Sequence, residues 1–390
     1  LRWERDPISG LHTKRPPARA PLGNTGEHGA VLRVDLDAIA ANYRDLAARA
    51  RPAQCAAAVK ANAYGLGLEP VATTLAEAGC DTFFVAHLAE AQQLRTSLPR
   101  VTIYVLGGLL AGTSEIYARA NLRPVLGSLG EIDEWRDFAA TTGAPAAAVH
   151  IDTGFNRLGL DESDVAHLAG NPDRLAGIEI ALVMSHLACA DTPGHPLNTA
   201  QLAAFDEAGA RLPGAPASLA GSGGIFLGPA YHFDLVRPGI ALFGGAVAGH
   251  ASRPVARLDA TVLQIRDISA GESIGYGATH TFERDSRIAI ISLGYADGLL
   301  RCLGGADAAG AVFIGDTRAP IVGRISMDLT AIDITGLPAE HVGRGAMVEV
   351  IGPHQTIDEI AAAAGTISYE ILTSLGSRYT RVYSAANHDL

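Results

Sequence analysis

Cysteine is scarce in this chain and never paired by spacing. The four cysteines in 390 residues, Cys55, Cys80, Cys189 and Cys302, form no C-x-x-C unit. That excludes a disulfide framework and a structural zinc site, predicts no metal, and suits a reducing cytosol. Long apolar runs are also missing. No uninterrupted stretch could span a bilayer, so a soluble, cytoplasmic protein with no membrane partner is expected. Positive charge is in deficit: Lys and Arg number 30 against 41 Asp and Glu, a net charge of −11, with no dense basic cluster to offset it. Nucleic acid is therefore not an expected partner. No G-x-G-x-x-G follows the first predicted strand, which argues against an open dinucleotide-binding sheet. Internal repeats are absent too.

What remains is an ordinary globular balance of 48% hydrophobic and 18% charged residues, in a length that suggests two domains. Residues 1–29 carry Pro7, Pro16, Pro17 and Pro21, five Arg or Lys and no apolar core, so a flexible extension is expected rather than a signal peptide. Val31–Leu36 reads as a strand, with Asp37 capping a helix over Ala38–Ala50. Short apolar runs then alternate with amphipathic stretches. The runs are Cys55–Lys60, Thr82–Ala86, Val101–Leu106, Arg123–Leu126, Ala146–Ile151, Ile178–Val183, Ala217–Ala220 and Phe233–Val236. Repeated about eight times, this pattern predicts an α/β chain whose residues 30–249 form a parallel (β/α)8 TIM-type barrel. A doubly wound open sheet is the alternative. From 250 to 390 the pattern changes to alternating runs broken by Gly and Pro: Leu258–Ile268, Arg287–Leu293, Ala311–Ile314, Leu329–Ile334 and Met347–Ile351. A mostly antiparallel β domain is expected there, with one helix at Ile357–Ala364 and a closing strand at Arg381–Ser384.

The stretch with the most chemical content is Cys55–Gly67. Its run of small apolar residues ends abruptly in Lys60, and Asn62, Tyr64, Gly65 and Gly67 follow at once. In a parallel barrel, strand C-terminal ends are where chemistry is placed. A lysine buried there loses hydration, which lowers its pKa and favours the nucleophilic amine. The alternative is a lysine that snorkels from the strand end to water. Three other segments offer groups that could hold a phosphate: Tyr64 in the glycine loop, the Gly221–Gly224 turn with Ser222, and Arg237-Pro238-Gly239-Ile240 after the last barrel strand. A strand-end lysine with several phosphate contacts fits a pyridoxal phosphate site. Arg237 is then the group available to the ring nitrogen. A guanidinium only donates, so the nitrogen would stay unprotonated and the ring would be a poor electron sink.

At this point the motifs resemble a known family. K-A-N-A-Y-G-L-G (Lys60–Gly67), H-I-D-T-G-F-N-R-L-G (His150–Gly159), S-H-L-A-C-A-D (Ser185–Asp191) and V-R-P-G-I-A-L-F-G (Val236–Gly244) are similar to those of bacterial alanine racemases. So are G-Y-G-A-T (Gly275–Thr279), G-Y-A-D-G (Gly294–Gly298) and G-R-I-S-M-D (Gly323–Asp328), in the same order along the chain. The resemblance implies a pyridoxal 5'-phosphate enzyme that racemises alanine for peptidoglycan synthesis, as a homodimer with shared active sites. Lys60 would carry the cofactor and act as base on one face of the substrate Cα. Tyr276, reaching across from the second subunit, would act on the other. A free tyrosine has a pKa near 10, too high for a base at neutral pH. The resemblance nominates His186, bonded between Tyr276 and Arg237, as the relay that corrects this.

The same resemblance implies phosphate contacts from Tyr64, Ser222, Tyr369 and the N–H groups of Gly239 and Ile240. It gives Arg157 and the N–H of Met327 to the substrate carboxylate, with Arg157 also on the cofactor's phenolic oxygen. Asp191, Tyr295, Arg301 and Arg324 match an approach corridor, and Asp328 reads equally as structural or catalytic. Three departures stand out: His150 replaces a lysine that is often carbamylated and positions the arginine, Leu66 replaces a frequent histidine, and Gly221 replaces a frequent asparagine. Rival expectations are a racemase of wider amino-acid range and a decarboxylase of similar architecture. The decarboxylase would want a carboxylate on the ring nitrogen, where Arg237 stands.

Overall fold

The computed structural model describes residues 29–212, 214–305, 309–338 and 342–384. The expected extension lies outside them, apart from Gly29. The first barrel strand forms in two pieces, Gln54–Cys55 and Ala57–Ala58, on either side of Ala56. Parallel neighbours follow in chain order: Thr82–Val85, Thr102–Val105, Arg123–Leu126, Ala147–His150, Ile180–Met184 and Ala217–Ser218. Leu235–Val236 pairs in parallel with Gln54–Cys55, and the N–H of Arg237 donates to the carbonyl of Ala220 (2.9 Å), which closes the ring. The expected barrel is therefore present, rather than the open sheet.

Strand alternation explains how the barrel fills. Phe84, Tyr104, Val125, Ala148, Leu182, Met184 and Leu235 pack with Ala56 and Ala58 into one inner cluster. Their neighbours Phe83, Ile103, Leu126 and Val149 join the larger core, which includes apolar residues of the surrounding helices. Inside the ring, Tyr104 stacks on Phe84 with centroids 4.9 Å apart, a close offset pairing of aromatic faces. The alanines of the first strand leave room for these two rings.

Residues 30–35 depart from the expected division. The strand Ala30–Asp35 was grouped with the barrel, but it belongs to the second sheet, antiparallel to Ala256–Ile268 and parallel to Thr380–Ser384. A short apolar strand satisfies either neighbourhood locally; only these distant partners decide between them. The helix that follows, Leu36–Ala50, is capped by Asp35, whose carboxylate accepts from the N–H of Ala38 (2.8 Å), and not by Asp37 as expected. Asp37 lies inside the first turn, where its charge still suits the helix dipole.

The second domain is mostly antiparallel, as expected. Its centre is the long strand Ala256–Ile268, whose register shifts between Val262 and Gln264. Before that bulge it pairs with Ala30–Asp35 and Met347–Ile351; beyond it, with Ser286–Ile291, which in turn pairs with Thr330–Asp333. A β-bulge bends a strand in this way and lets it serve two sheet directions. Elements not foreseen include the strand Thr317–Pro320, the paired strands Ser273–Ile274 and His280–Thr281, and the helix Ser368–Thr373.

Candidate active site

Five strand ends converge on one cavity. Lys60 follows the first strand, His150 ends another, His186 lies two residues beyond Met184, Ser222 follows Gly221, and Arg237 follows Val236. These five line a cavity of about 170 Å³ together with Tyr64, Arg157, Gly239, Ile240 and Tyr369. Every residue expected to hold the cofactor is therefore in one place. No carboxylate lines this cavity among the described residues.

The loop after Lys60 is backbone of an unusual kind. Ala61, Asn62, Ala63 and Tyr64 have φ of 54, 56, 52 and 54°, a full left-handed turn without glycine. Each such residue costs roughly 1–2 kcal/mol, so the surroundings must hold the turn in place. Inside the loop, the N–H of Gly65 donates to Ala61 (2.8 Å), that of Gly67 to Asn62 (2.9 Å), and that of Leu68 to the Asn62 side chain (2.8 Å). From the barrel, the Glu90 carboxylate accepts from the N–H groups of Ala61 (2.6 Å), Ala86 (2.8 Å) and His87 (3.1 Å), tying two strand ends together. From the second domain, Tyr383 donates to the carbonyl of Leu66 (3.0 Å) and Arg381 to that of Gly65 (3.1 Å). Gly65 is required here, because a Cβ on it would lie 2.2 Å from the carbonyl oxygen of Leu372.

Charge in the cavity is set by burial. Lys60 is held below the usual lysine pKa by burial first and by Arg157 second, with Glu90 opposing. Burial brings Arg237 down to about 10, so it stays charged at neutral pH. Its guanidinium donates to Ser218 Oγ and to the carbonyls of Ser185 (2.6 Å) and Leu219 (3.4 Å), and lies 5.8 Å from the Phe84 ring centroid. Two imidazoles sit among these cations. Burial and then Arg237 and Lys60 lower His186 to about 3, while burial and then Arg237 lower His150 to about 4. Both are therefore neutral at physiological pH.

Backbone grips hold His186 in position. Gln201, fully buried, donates to the carbonyl of His186 (2.9 Å) and accepts from the N–H of Ala188 (2.8 Å). Among the described residues no hydrogen bond joins the His186 ring to Arg237, whose donors go to Ser185, Ser218 and Leu219. The cradle opposite is built from Ser222, whose Oγ accepts from the N–H groups of Gly239 (2.9 Å) and Ala241 (3.3 Å). A Cβ at Gly239 would lie 2.2 Å from the Tyr64 hydroxyl, so only glycine fits. Burial, then Tyr369, raises the pKa of Tyr64; burial, then Asp191, pushes Tyr369 up to about 12. Both hydroxyls are thus protonated donors, as an anion would require.

Tyr276 and Met327 do not line this chain's cavity. They stand on the second domain, 70% and 53% exposed. Their loops are neighbours: the Arg324 side chain lies against Gly277, and the N–H groups of Tyr295 and Ala296 donate to the carbonyls of Ser326 and Met327 (both 3.0 Å). Arg301 is exposed on the same domain, in the short helix Arg301–Leu303. Asp328 pairs with Arg378 (2.8 Å), which also meets Asp297 (3.1 Å). Sequence reasoning did not single out Glu90, Gln201, Ser218 or Phe155. These residues act through backbone or through another side chain, and such roles leave no local pattern.

Compared with known proteins, the chain matches the alanine racemase N-terminal domain over residues 34–247 and the C-terminal domain over residues 255–383. The alanine racemase of Methylobacterium nodulans is 48% identical over 363 residues, 92% of this chain and 97% of that protein. The biosynthetic alanine racemase of Agrobacterium fabrum is 45% identical over 367 residues, 91% of this chain and 94% of that protein. Among solved structures, alanine racemase from Bartonella henselae with covalently bound pyridoxal phosphate is 43% identical with a TM-score of 0.88. That match covers 91% of this chain and 99% of the other.

Proposed function

Because this chain belongs to the alanine racemase family, we propose that it interconverts L- and D-alanine with pyridoxal 5'-phosphate, through two bases on opposite faces of the substrate Cα. The residues present fit that cofactor: a lysine of lowered pKa faces a cradle of serine hydroxyl, two protonated tyrosines and a glycine that admits no side chain. When bound, pyridoxal phosphate supplies an aldehyde that captures amines and a conjugated ring that acidifies the attached Cα–H.

The chain's own groups do the rest. Tyr64, Ser222, Tyr369 and the N–H groups of Gly239 and Ile240 would hold the phosphate. Arg237 would face the ring nitrogen; being only a donor, it would leave that nitrogen unprotonated and limit side reactions that need a strong electron sink. Lys60 anchors the cofactor and moves the Cα proton on one face, a task its lowered pKa favours. Tyr276 of the partner subunit moves it on the other, with neutral His186 available to accept a hydrogen bond from its hydroxyl. Arg157 and the backbone N–H of Met327 of the partner subunit hold the substrate carboxylate. Asp191, Tyr295, Arg301 and Arg324 line the approach. The exposure of Tyr276, Met327 and Tyr295 on one face supports a homodimer in which each second domain completes the other subunit's cavity. The enzyme would act in the cytoplasm and supply D-alanine for peptidoglycan.

One observation carries this reading: Lys60, Arg237 and neutral His186 meet in a cavity that no carboxylate lines among the described residues. A decarboxylase with an acid on the ring nitrogen has no counterpart here. The test is incubation of the purified protein with pyridoxal phosphate and L-alanine in heavy water, following optical rotation and Cα deuterium. Both inversion and exchange are expected; absence of both rejects the reading.

A further inference from the structure

We infer that Phe155 is the positioning residue for Arg157: its ring face, and not the imidazole of His150, holds the guanidinium at the cavity. The inference rests on the role proposed above for Arg157, as the group that meets the alanine carboxylate. The guanidinium carbon of Arg157 lies 4.1 Å from the Phe155 ring centroid, well inside the ~6 Å range in which a ring face attracts a cation.

The loop is built to bring these two side chains together. Its frame is the Asp152 carboxylate, which accepts from the N–H groups of Gly154 (2.8 Å), Phe155 (2.9 Å) and Asn156 (3.1 Å). The ends are closed by the N–H of Asp152 on Leu160 (2.9 Å) and that of Leu160 on His150 (2.8 Å). Asn156, between the two residues, has a φ of 59°. In extended backbone, residues 155 and 157 would share a side but stand well apart; a left-handed residue between them folds the chain so that one covers the other. Asparagine is among the few side chains that adopt this region readily. Gly159 completes the loop at φ +117°, where a Cβ would fall 2.6 Å from the backbone nitrogen of Asp152.

His150 makes no such contact. Among the described residues no hydrogen bond joins it to Arg157, and its ring is neutral at physiological pH, so it brings no charge to hold a guanidinium. Phe155 also lies against the His186 ring, centroids 5.7 Å apart at 45°. One aromatic ring thus touches both the substrate-binding cation and His186. A guanidinium held by its face keeps its in-plane N–H groups free, which is the arrangement a carboxylate can grip with two hydrogen bonds.

The probe is propionate, which has alanine's carboxylate and no amine to react. It is titrated into holoenzyme while the absorbance of bound pyridoxal phosphate is followed, alongside KM and kcat for L-alanine. Phe155→Leu and the longer, unbranched Phe155→Met are expected to weaken propionate and raise KM about three- to thirtyfold, with a smaller change in kcat. Phe155→Tyr, which keeps the ring face, should stay within about twofold of the parent. Parent-like propionate affinity in both Phe155→Leu and Phe155→Met overturns the inference, as does failure of Phe155→Tyr to restore it. So does weakening by His150→Ala where Phe155→Met has no effect. Arg157→Ala separates the two levels. If it weakens propionate while the Phe155 variants do not, only the inference falls; if it has no effect, the role of Arg157 falls as well.

Discussion

Lys60→Ala is expected to reduce racemisation by at least about a thousandfold and to abolish covalent retention of pyridoxal phosphate. Among the described residues no other lysine lines the cavity, so nothing there can take over. The loss has two sources. The amine that anchors the cofactor is gone, and so is the base whose pKa burial and Arg157 have lowered. Borohydride trapping followed by peptide mass analysis checks the first: the parent should carry the reduced cofactor on Lys60, and the variant on no residue. Steady-state polarimetry checks the second. Stoichiometric trapping at another lysine, with racemisation intact, would show that the strand-end amine is the wrong one.

Tyr276→Phe has the second largest expected effect, a fall in racemisation of roughly a hundred- to ten-thousandfold, the range for loss of a positioned acid–base group. Here the cofactor stays. Lys60 and every part of the phosphate cradle except Tyr369 lie on the barrel, and Tyr276 is not among the residues that line the cavity of its own chain, so trapping on Lys60 should match the parent. The phenotype should also be one-sided. With the base for one face intact, Cα deuterium exchange in heavy water should persist for one alanine enantiomer and largely vanish for the other. Equal slowing for both enantiomers would point to disturbed cofactor geometry, and an unchanged rate would remove Tyr276 from the proton path.

How far the sequence alone reaches depends on the kind of residue. The barrel strands were legible because each is a short apolar run bounded by turn residues. Gly239 entered only with the Arg237–Ile240 run after the last strand and through the resemblance; its close approach to the Tyr64 hydroxyl is seen only in the folded chain. The left-handed turn at Ala61–Tyr64 was not legible either. Two of its four residues are alanines, which have no preference for that region, and the conformation is imposed from outside by Glu90, Arg381 and Tyr383. The membership of Ala30–Asp35 in the second sheet was hidden for a similar reason, since its partners lie more than two hundred residues away. The expected bond between His186 and Arg237 shows a further limit. Residue types suggested the pair, but the hydrogen bonds that Arg237 makes go to Ser185, Ser218 and Leu219, a choice made by the packing of neighbouring strand ends. His150 posed a question that composition could not answer, what holds Arg157. The answer lay five residues away in the ring of Phe155.

The central claim is that one active site needs the barrel of one subunit and Tyr276 of the partner subunit. Mixing the Lys60→Ala and Tyr276→Phe proteins under conditions where subunits exchange tests it most directly. A mixed dimer has one cavity with both defects and one with neither. Random reassociation should therefore restore about a quarter of the parental activity from two nearly inactive preparations. If the mixture stays as inactive as its components while subunit exchange is verified by mass, each site is built within a single chain and the account is wrong.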